Sequence, residues 1–295
     1  MSSLRVPNTR ASSRVPTRVD RRGLLVLAAV TALVAPAAAQ APHAPYPRGW
    51  PQPAAGPSAS GDTELLLTFD DGPDPETTPV VLDQLAARGV HAVFFQVGWR
   101  FRRGDIARAR AIDARLVREG HIIGNHTVDH AQLCSVPEVL GKLQITMSRE
   151  LLEQAAGMPV PWFRTPYGAR CPRVERILGE LGLAHFHWDI DPQEWRGLGA
   201  KATVAKVTRA IARLQGRGVL LMHDTKFATR YALPKILDWI EAEDARRRKK
   251  GRPGIRFISG AQLAREHLAP TLGWLADAYH KSKLDVTTAL VATVP

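Results

Sequence analysis

Two cysteines, Cys134 and Cys171, are all that 295 residues contain, too few for a zinc finger or a dense disulfide framework. In an oxidising compartment they either pair or stay as two buried thiols. Apolar runs are also short. The run from Gly23 to Ala35 spans 13 residues, where about 20 are needed to cross a bilayer. No internal repeat is visible, which argues against a solenoid or array. Acidic residues are the minority, 28 against 40 Lys and Arg. The only dense basic run, Arg246-Arg247-Arg248-Lys249-Lys250, follows a helix-like segment. It reads as a solvated helix end complementing the helix dipole rather than a nucleic-acid patch.

What is present divides the chain into three parts. Residues 1–39 have the pattern of a cleaved signal peptide: six Arg before residue 23, an apolar run, and a small-residue site at Ala37-Ala38-Ala39. Asp20-Arg21-Arg22-Gly23-Leu24-Leu25 resembles a twin-arginine signal, which carries folded proteins; an ordinary secretory signal is the alternative. Cleavage lowers the formal net charge from +12 to +7. The expected product is exported, periplasmic or extracellular, without a stable membrane anchor. A moderately basic protein there suits an anionic envelope surface. Residues 40–63 are rich in Pro and Ala, the composition of a linker. Residues 64–295 form the expected catalytic domain.

Within that domain, short β-branched and apolar runs near 65–70, 90–97, 121–125, 161–164, 184–190, 218–222 and 255–258 read as strands. Amphipathic stretches separate them, for instance Pro79–Arg88, Ile106–Glu119 and Val204–Leu214. Seven strands alternating with helices predict an α/β fold with a parallel sheet, a barrel or an open doubly wound layer. The polar motifs fall at the C-terminal ends of these strands: Asp70-Asp71, Asn125-His126, Arg164, Asp189-Ile190-Asp191 and His223-Asp224. In a parallel barrel those ends converge on one mouth.

Adjacent residues of an extended chain point to opposite faces, so Asp70 and Asp71 can take different tasks in one pocket. His126 and His130 lie four residues apart and share a face if the segment turns helically. One carboxylate and two imidazoles around an ion leave a coordination position for water, as a hydrolytic zinc-type site requires. The second carboxylate can then take the water's proton.

Five motifs together carry a resemblance. Thr68-Phe69-Asp70-Asp71-Gly72, His126-Thr127-x-x-His130, Arg164-x-Pro166-Tyr167-Gly168, Asp191-x-x-Glu194-Trp195 and Leu221-x-His223 stand in the order and approximate spacing of the polysaccharide deacetylases. This is carbohydrate esterase family 4, or the NodB homology domain, and the resemblance covers about residues 64–260. It implies a distorted (β/α)7-type barrel with parallel strands, and an exported metal-dependent hydrolase removing N-acetyl groups from a glycan. Peptidoglycan, a chitin-like polymer and poly-N-acetylglucosamine are the substrate types it implies. Asp70 is then the general base, and Asp71, His126 and His130 hold one divalent metal, zinc first, cobalt or nickel otherwise. Arg164 orients Asp70 by a charge-assisted contact. The backbone N–H at Tyr167 shares the developing oxyanion. His223 protonates the leaving amine. Leu221 lines the acetyl-methyl pocket.

One position departs from the family pattern. Glu194 stands before Trp195 where Asp is usual, leaving Glu194 or Asp191 as the partner that tunes His223. Trp99, Trp188 and Trp195 are candidates for stacking on sugar rings, whereas Trp239 and Trp274 read as core. His185 and His187 read as packed or solvent-facing histidines, and Asp129 and Asp224 as orienters of imidazole or loop acids. The expected partner is a glycan rather than nucleic acid. An O-acetyl esterase on an acetylated xylan-like glycan, or a catalytically silent glycan-binding protein, are the rival functions; oligomeric state is not encoded legibly.

Overall fold

The computed structural model describes residue 58 and residues 60–263. The leader expected at 1–39, most of the linker and Trp274 lie outside the described residues. Thr63, the last residue assigned to the linker, already begins the first strand.

Among the described residues there are seven strands: β1 (Thr63–Asp70), β2 (Val93–Gln96), β3 (Ile122–Asn125), β4 (Trp162–Phe163), β5 (Ala184–His185), β6 (Arg217–His223) and β7 (Ile255–Phe257). Every pairing is parallel, and the sheet order is β5-β4-β3-β2-β1-β6, with β7 also on β1. β1 is buried along its whole length, as expected of a strand covered on both faces. The period of two then sorts its residues. Leu65, Leu67 and Phe69 pack outward in the cluster shared with the helices. Leu66 packs inward with Phe95, Trp162, Phe186 and Val219.

The helices are α1 (Thr78–Ala86), α2 (Ile106–Arg118), α3 (Glu138–Ala156), α4 (Pro172–Glu180), α5 (Ala200–Arg213) and α6 (Phe227–Lys249). α2 is capped by Asp105, whose side chain accepts the Arg108 N–H at 3.0 Å, leaving one fewer orphan donor in the first turn. α6 ends in the basic run as expected, with one exception: Arg247 is buried and bonds Glu243 and Thr63. Among the described residues no helix is long and apolar enough to cross a membrane.

The fifth strand differs from its expected span of 184–190. The Phe186 N–H still donates to the Phe163 carbonyl at 2.7 Å, but the Asp189 and Ile190 N–H groups donate to the Val219 carbonyl at 2.9 and 3.0 Å. Ile190 thereby bridges Leu220 on β6. One short segment thus serves two strands in turn, because the chain must cross from β4 to β6 while Phe186 fills the interior. This crossing curls the parallel sheet and is the distortion of the barrel.

Cys134 and Cys171 form a disulfide with a Cα–Cα distance of 6.1 Å. It lies against the small cluster of Leu133, Ile145, Phe163 and Val174 beneath α3 and α4. It joins positions 37 residues apart, a loop whose closure in the unfolded chain corresponds to about 4 kcal/mol in the chain-entropy view. Replacing both cysteines with serine is expected to lower the unfolding free energy by about 2–4 kcal/mol. Denaturant titration with and without reductant measures this, and reductant should leave the double variant unchanged.

Candidate active site

The site is built at the C-terminal ends of the strands. β1 and β6 run in register with Asp70 beside His223 and Thr68 beside Leu221. Leu66, Thr68 and Asp70 share one face of β1, and Val219, Leu221 and His223 one face of β6. The two strands therefore present a carboxylate and an imidazole from adjacent tips into one mouth.

Arg164, one residue beyond β4, enters this mouth from below and is fully buried. Its Nη1 donates to Asp70 Oδ1 at 2.7 Å and to Thr68 Oγ1 at 2.8 Å, and its Nη2 donates to the His187 carbonyl at 3.1 Å. The guanidinium also lies 4.2 Å from the Phe95 ring centroid. Thr68 was not singled out from the sequence, although its place two residues before Asp70 assigns it the same face. His187 contributes a backbone oxygen, and its ring packs 4.3 Å from that of His185. His185 itself bonds Glu175 at 2.7 Å.

Asp71, His126 and His130 converge in front of Asp70. The Nε2 atoms of His126 and His130 lie 3.7 and 3.4 Å from Asp71 Oδ1, and one ligand atom from each residue falls within 4.8 Å of the others. His126 Nδ1 is 2.7 Å from the Arg164 carbonyl. A carbonyl only accepts, so Nδ1 carries the proton and Nε2 presents a lone pair. Burial, reinforced by His130, pushes the His126 pKa down to about 3, so the ring is neutral at ordinary pH. Asp71 Oδ1 is buried with no hydrogen-bond donor. Acceptor atoms crowded together without a donor repel one another unless a cation lies among them. Two imidazole nitrogens and one carboxylate oxygen are the donor set of a hydrolytic zinc-type site, and the residues fit a divalent ion.

Backbone strain is concentrated here. The five described non-glycine residues with positive φ are Asp71 (77°), Thr127 (69°), His130 (57°), Tyr167 (62°) and Gln193 (60°). Two are candidate ligands, Thr127 lies between the histidines, and Gln193 immediately precedes Glu194. Such values cost about 1–3 kcal/mol each and persist where surrounding contacts enforce them. The Tyr167 ring packs edge-on against His130, with centroids 4.5 Å apart.

On the other side, Glu194 Oε1 accepts from the His223 backbone N–H at 2.7 Å and stands 2.9 Å from its Nδ1. Thr229, another residue not anticipated, donates to the same oxygen at 3.3 Å. Burial opposes protonation of His223, but the Glu194 hydrogen bond and charge, with Asp71 and Asp70 adding, hold its pKa up at about 9. Asp191 Oδ1 accepts the Gln193 N–H at 2.7 Å.

The tryptophans separate. Trp99 lines a cleft of about 290 Å³ together with Asp71, His130, Arg100 and Lys226. The Trp195 ring centroid is 6.5 Å from that of His223. Trp188 is half-buried, packs against the barrel interior and lies with its ring centroid 5.4 Å from the Arg164 guanidinium. Trp239 packs against the outer core. Asp129 bonds Gln144 rather than an imidazole, and Asp224 bonds Thr78.

Residues 58–186 match the polysaccharide deacetylase family. The chain is 33% identical over 187 residues to the peptidoglycan-N-acetylglucosamine deacetylase of Bacillus cereus, covering 62% of this chain and 65% of that protein, just under two thirds of its length. It is 35% identical over 167 residues to the chitooligosaccharide deacetylase of a Bradyrhizobium species, covering 56% of this chain and 72% of that protein. The peptidoglycan deacetylase PdaC of Bacillus subtilis has the same fold, with a TM-score of 0.60 at 24% identity, covering 75% of this chain and 98% of that one.

The elevated His223 pKa has a consequence for stability. Between about pH 6.5, the ordinary histidine value, and about 9, the folded metal-free protein holds a proton that the unfolded chain has released. Stability from this group is full below that window and is lost as pH rises through it. Denaturant unfolding of metal-free protein should show a decline of at most about 3.5 kcal/mol across it. Glu194→Gln should remove most of the decline.

Proposed function

The chain belongs to the polysaccharide deacetylase family, and on that premise we propose that it is an exported, metal-dependent hydrolase removing acetyl from N-acetylglucosamine units of a glycan, releasing acetate. The observation that carries this reading is the meeting of two different chemistries in one mouth. Asp70 stands beside the Asp71, His126 and His130 cluster, and His223, paired with Glu194, stands on the neighbouring strand tip. The relatives named for peptidoglycan-N-acetylglucosamine and chitooligosaccharide support an N-acetyl rather than an O-acetyl substrate.

Asp71, His126 and His130 would hold the ion, with zinc the leading candidate and cobalt or nickel compatible with the same donors. Such an ion supplies Lewis acidity and lowers the pKa of water. Asp70 accepts the proton of the attacking water through Oδ2, the oxygen not held by Arg164 Nη1. It is the oxygen nearer the cluster, 3.7 Å from His126 Nε2. The Tyr167 backbone N–H donates to the oxygen that gains charge on attack. His223, protonated at neutral pH, gives its Nε2 proton to the departing nitrogen while Nδ1 stays on Glu194. Leu221 and Trp195 bound the acetyl and sugar sides. Residues 1–39 act as the export signal, which delivers the enzyme to its wall glycan.

Asp70→Asn is expected to lower acetate release at least about a hundredfold while cation stoichiometry is unchanged. Acetate assays on chitin oligomers, peptidoglycan and acetyl xylan, after chelation and stepwise metal restoration, test substrate and ion together. Near wild-type release by Asp70→Asn, or release that survives complete chelation, contradicts the assignment. Preference for acetyl xylan over both N-acetylated substrates would move the enzyme to the esterase class.

A further inference from the structure

Asp224 has no part in the reaction as derived, yet it is wholly buried between the two halves of the site. It follows His223 directly, and consecutive residues of an extended chain diverge. While His223 meets Glu194, the Asp224 carboxyl reaches the loop that runs from β1 to α1. There Thr78, the first residue of α1, donates its hydroxyl to Asp224 Oδ2 at 2.5 Å. The same hydroxyl accepts the Asp74 N–H at 2.7 Å. The loop's other side is tied to β2, through Asp71 N–H to the Phe95 carbonyl and Val97 N–H to the Gly72 carbonyl, both at 3.1 Å.

Gly72 completes the arrangement. A Cβ added there would fall within 2.8 Å of all three atoms of the Asp224 carboxyl group. Gly72 is not among the residues with positive φ, so its lack of a side chain answers to this close approach and not to backbone conformation. The carboxyl therefore occupies the space beside the peptide that follows Asp71, a residue held at φ 77°.

We infer that Asp224 is a positioning residue: seated against Gly72 and gripped by Thr78, it fixes the loop bearing Asp71 to the strand tip bearing His223. The inference rests on the reading of Asp71 as a metal ligand. Loss of the carboxyl frees the loop on one side, so cation affinity and turnover fall while the substrate KM changes little.

Competition titration of zinc against a chromophoric chelator gives a readout independent of any glycan, and steady-state kinetics with thermal melting accompany it. Asp224→Ala is expected to weaken zinc binding and lower kcat by roughly 10- to 100-fold, the scale of lost support behind a metal ligand. Asp224→Asn keeps the shape and an acceptor and should restore most of both. Thr78→Val, which leaves the barrel core intact, should move both in the same direction by a smaller factor, and it carries the test if Asp224→Ala does not fold. Gly72→Ala should cost affinity in the native background but add little in the Asp224→Ala background, where the new methyl enters vacated space. Folded Asp224→Ala or Thr78→Val with native zinc affinity and kcat overturns the inference, as does additivity of the Gly72 and Asp224 losses. Zinc binding by the wild type without acetate release from any glycan would defeat the proposed reaction alone and leave the affinity test standing. A wild type that takes up no zinc defeats both.

Discussion

Arg164 is the residue on which the site depends, because its two ends act on different halves of the chemistry. The guanidinium holds the candidate base Asp70, while the carbonyl of the same residue accepts a hydrogen bond from His126 Nδ1–H and turns Nε2 toward the cluster. Burying a guanidinium costs several kcal/mol unless its donors are matched. Here the barrel interior supplies the Asp70 carboxylate, a threonine hydroxyl, a backbone carbonyl from the crossing segment and the face of Phe95. The crossing of residues 186–190 is thus tied to the geometry of the site. It brings the His187 carbonyl beneath Arg164 and closes the sheet onto β6 in the same step.

The loops above this base are strained, and the constraints on them are distinct. His130 and Tyr167, both with positive φ, each lie four residues before a cysteine of the one disulfide, and their rings are in contact. The covalent link therefore closes a loop pair that the ring contact also closes. Asp71 has no such covalent tether; its N–H is bonded to the Phe95 carbonyl, and the next residue, Gly72, is bonded by the Val97 N–H and lies against the Asp224 carboxyl. Several weak restraints converging on one residue can hold a conformation that no single one would enforce.

Much of this was legible in the sequence because the relevant signals are local. Continuous apolar runs marked β1 and β6, and a polar residue ending an apolar run marked each strand tip, which suffices to bring Asp70, Arg164, His126 and His223 to one end of a parallel sheet. Features that depend on tertiary closure were not legible. The segment 184–190 reads as one strand since apolar and aromatic residues recur along it without a Gly or Pro to break it, and nothing local says that its halves pair with different neighbours. The pairing of Cys134 with Cys171 depends on how the loops after β3 and β4 approach each other. The tautomer of His126 is set by a backbone carbonyl, which leaves no trace in residue identity. Thr78 and Thr229 are ordinary helix residues by sequence, and acquire their roles only because α1 and α6 begin beside the mouth.

The Glu194 position shows how a substitution can be absorbed by the backbone that presents it. Asp191 and Glu194 compete on paper for His223, but in the folded chain they act in series. Asp191 accepts the Gln193 N–H, Gln193 turns left-handed at φ 60°, and that turn starts the short helical segment Glu194–Arg196. The longer side chain then reaches β6 with one oxygen serving both the backbone N–H and the ring of His223. Because that oxygen grips the strand as well as the imidazole, the direction of the ring is set relative to β6 itself. β6 is in register with β1, so a carboxylate contributed from a distant loop fixes the orientation of the His223 ring with respect to Asp70 across the sheet.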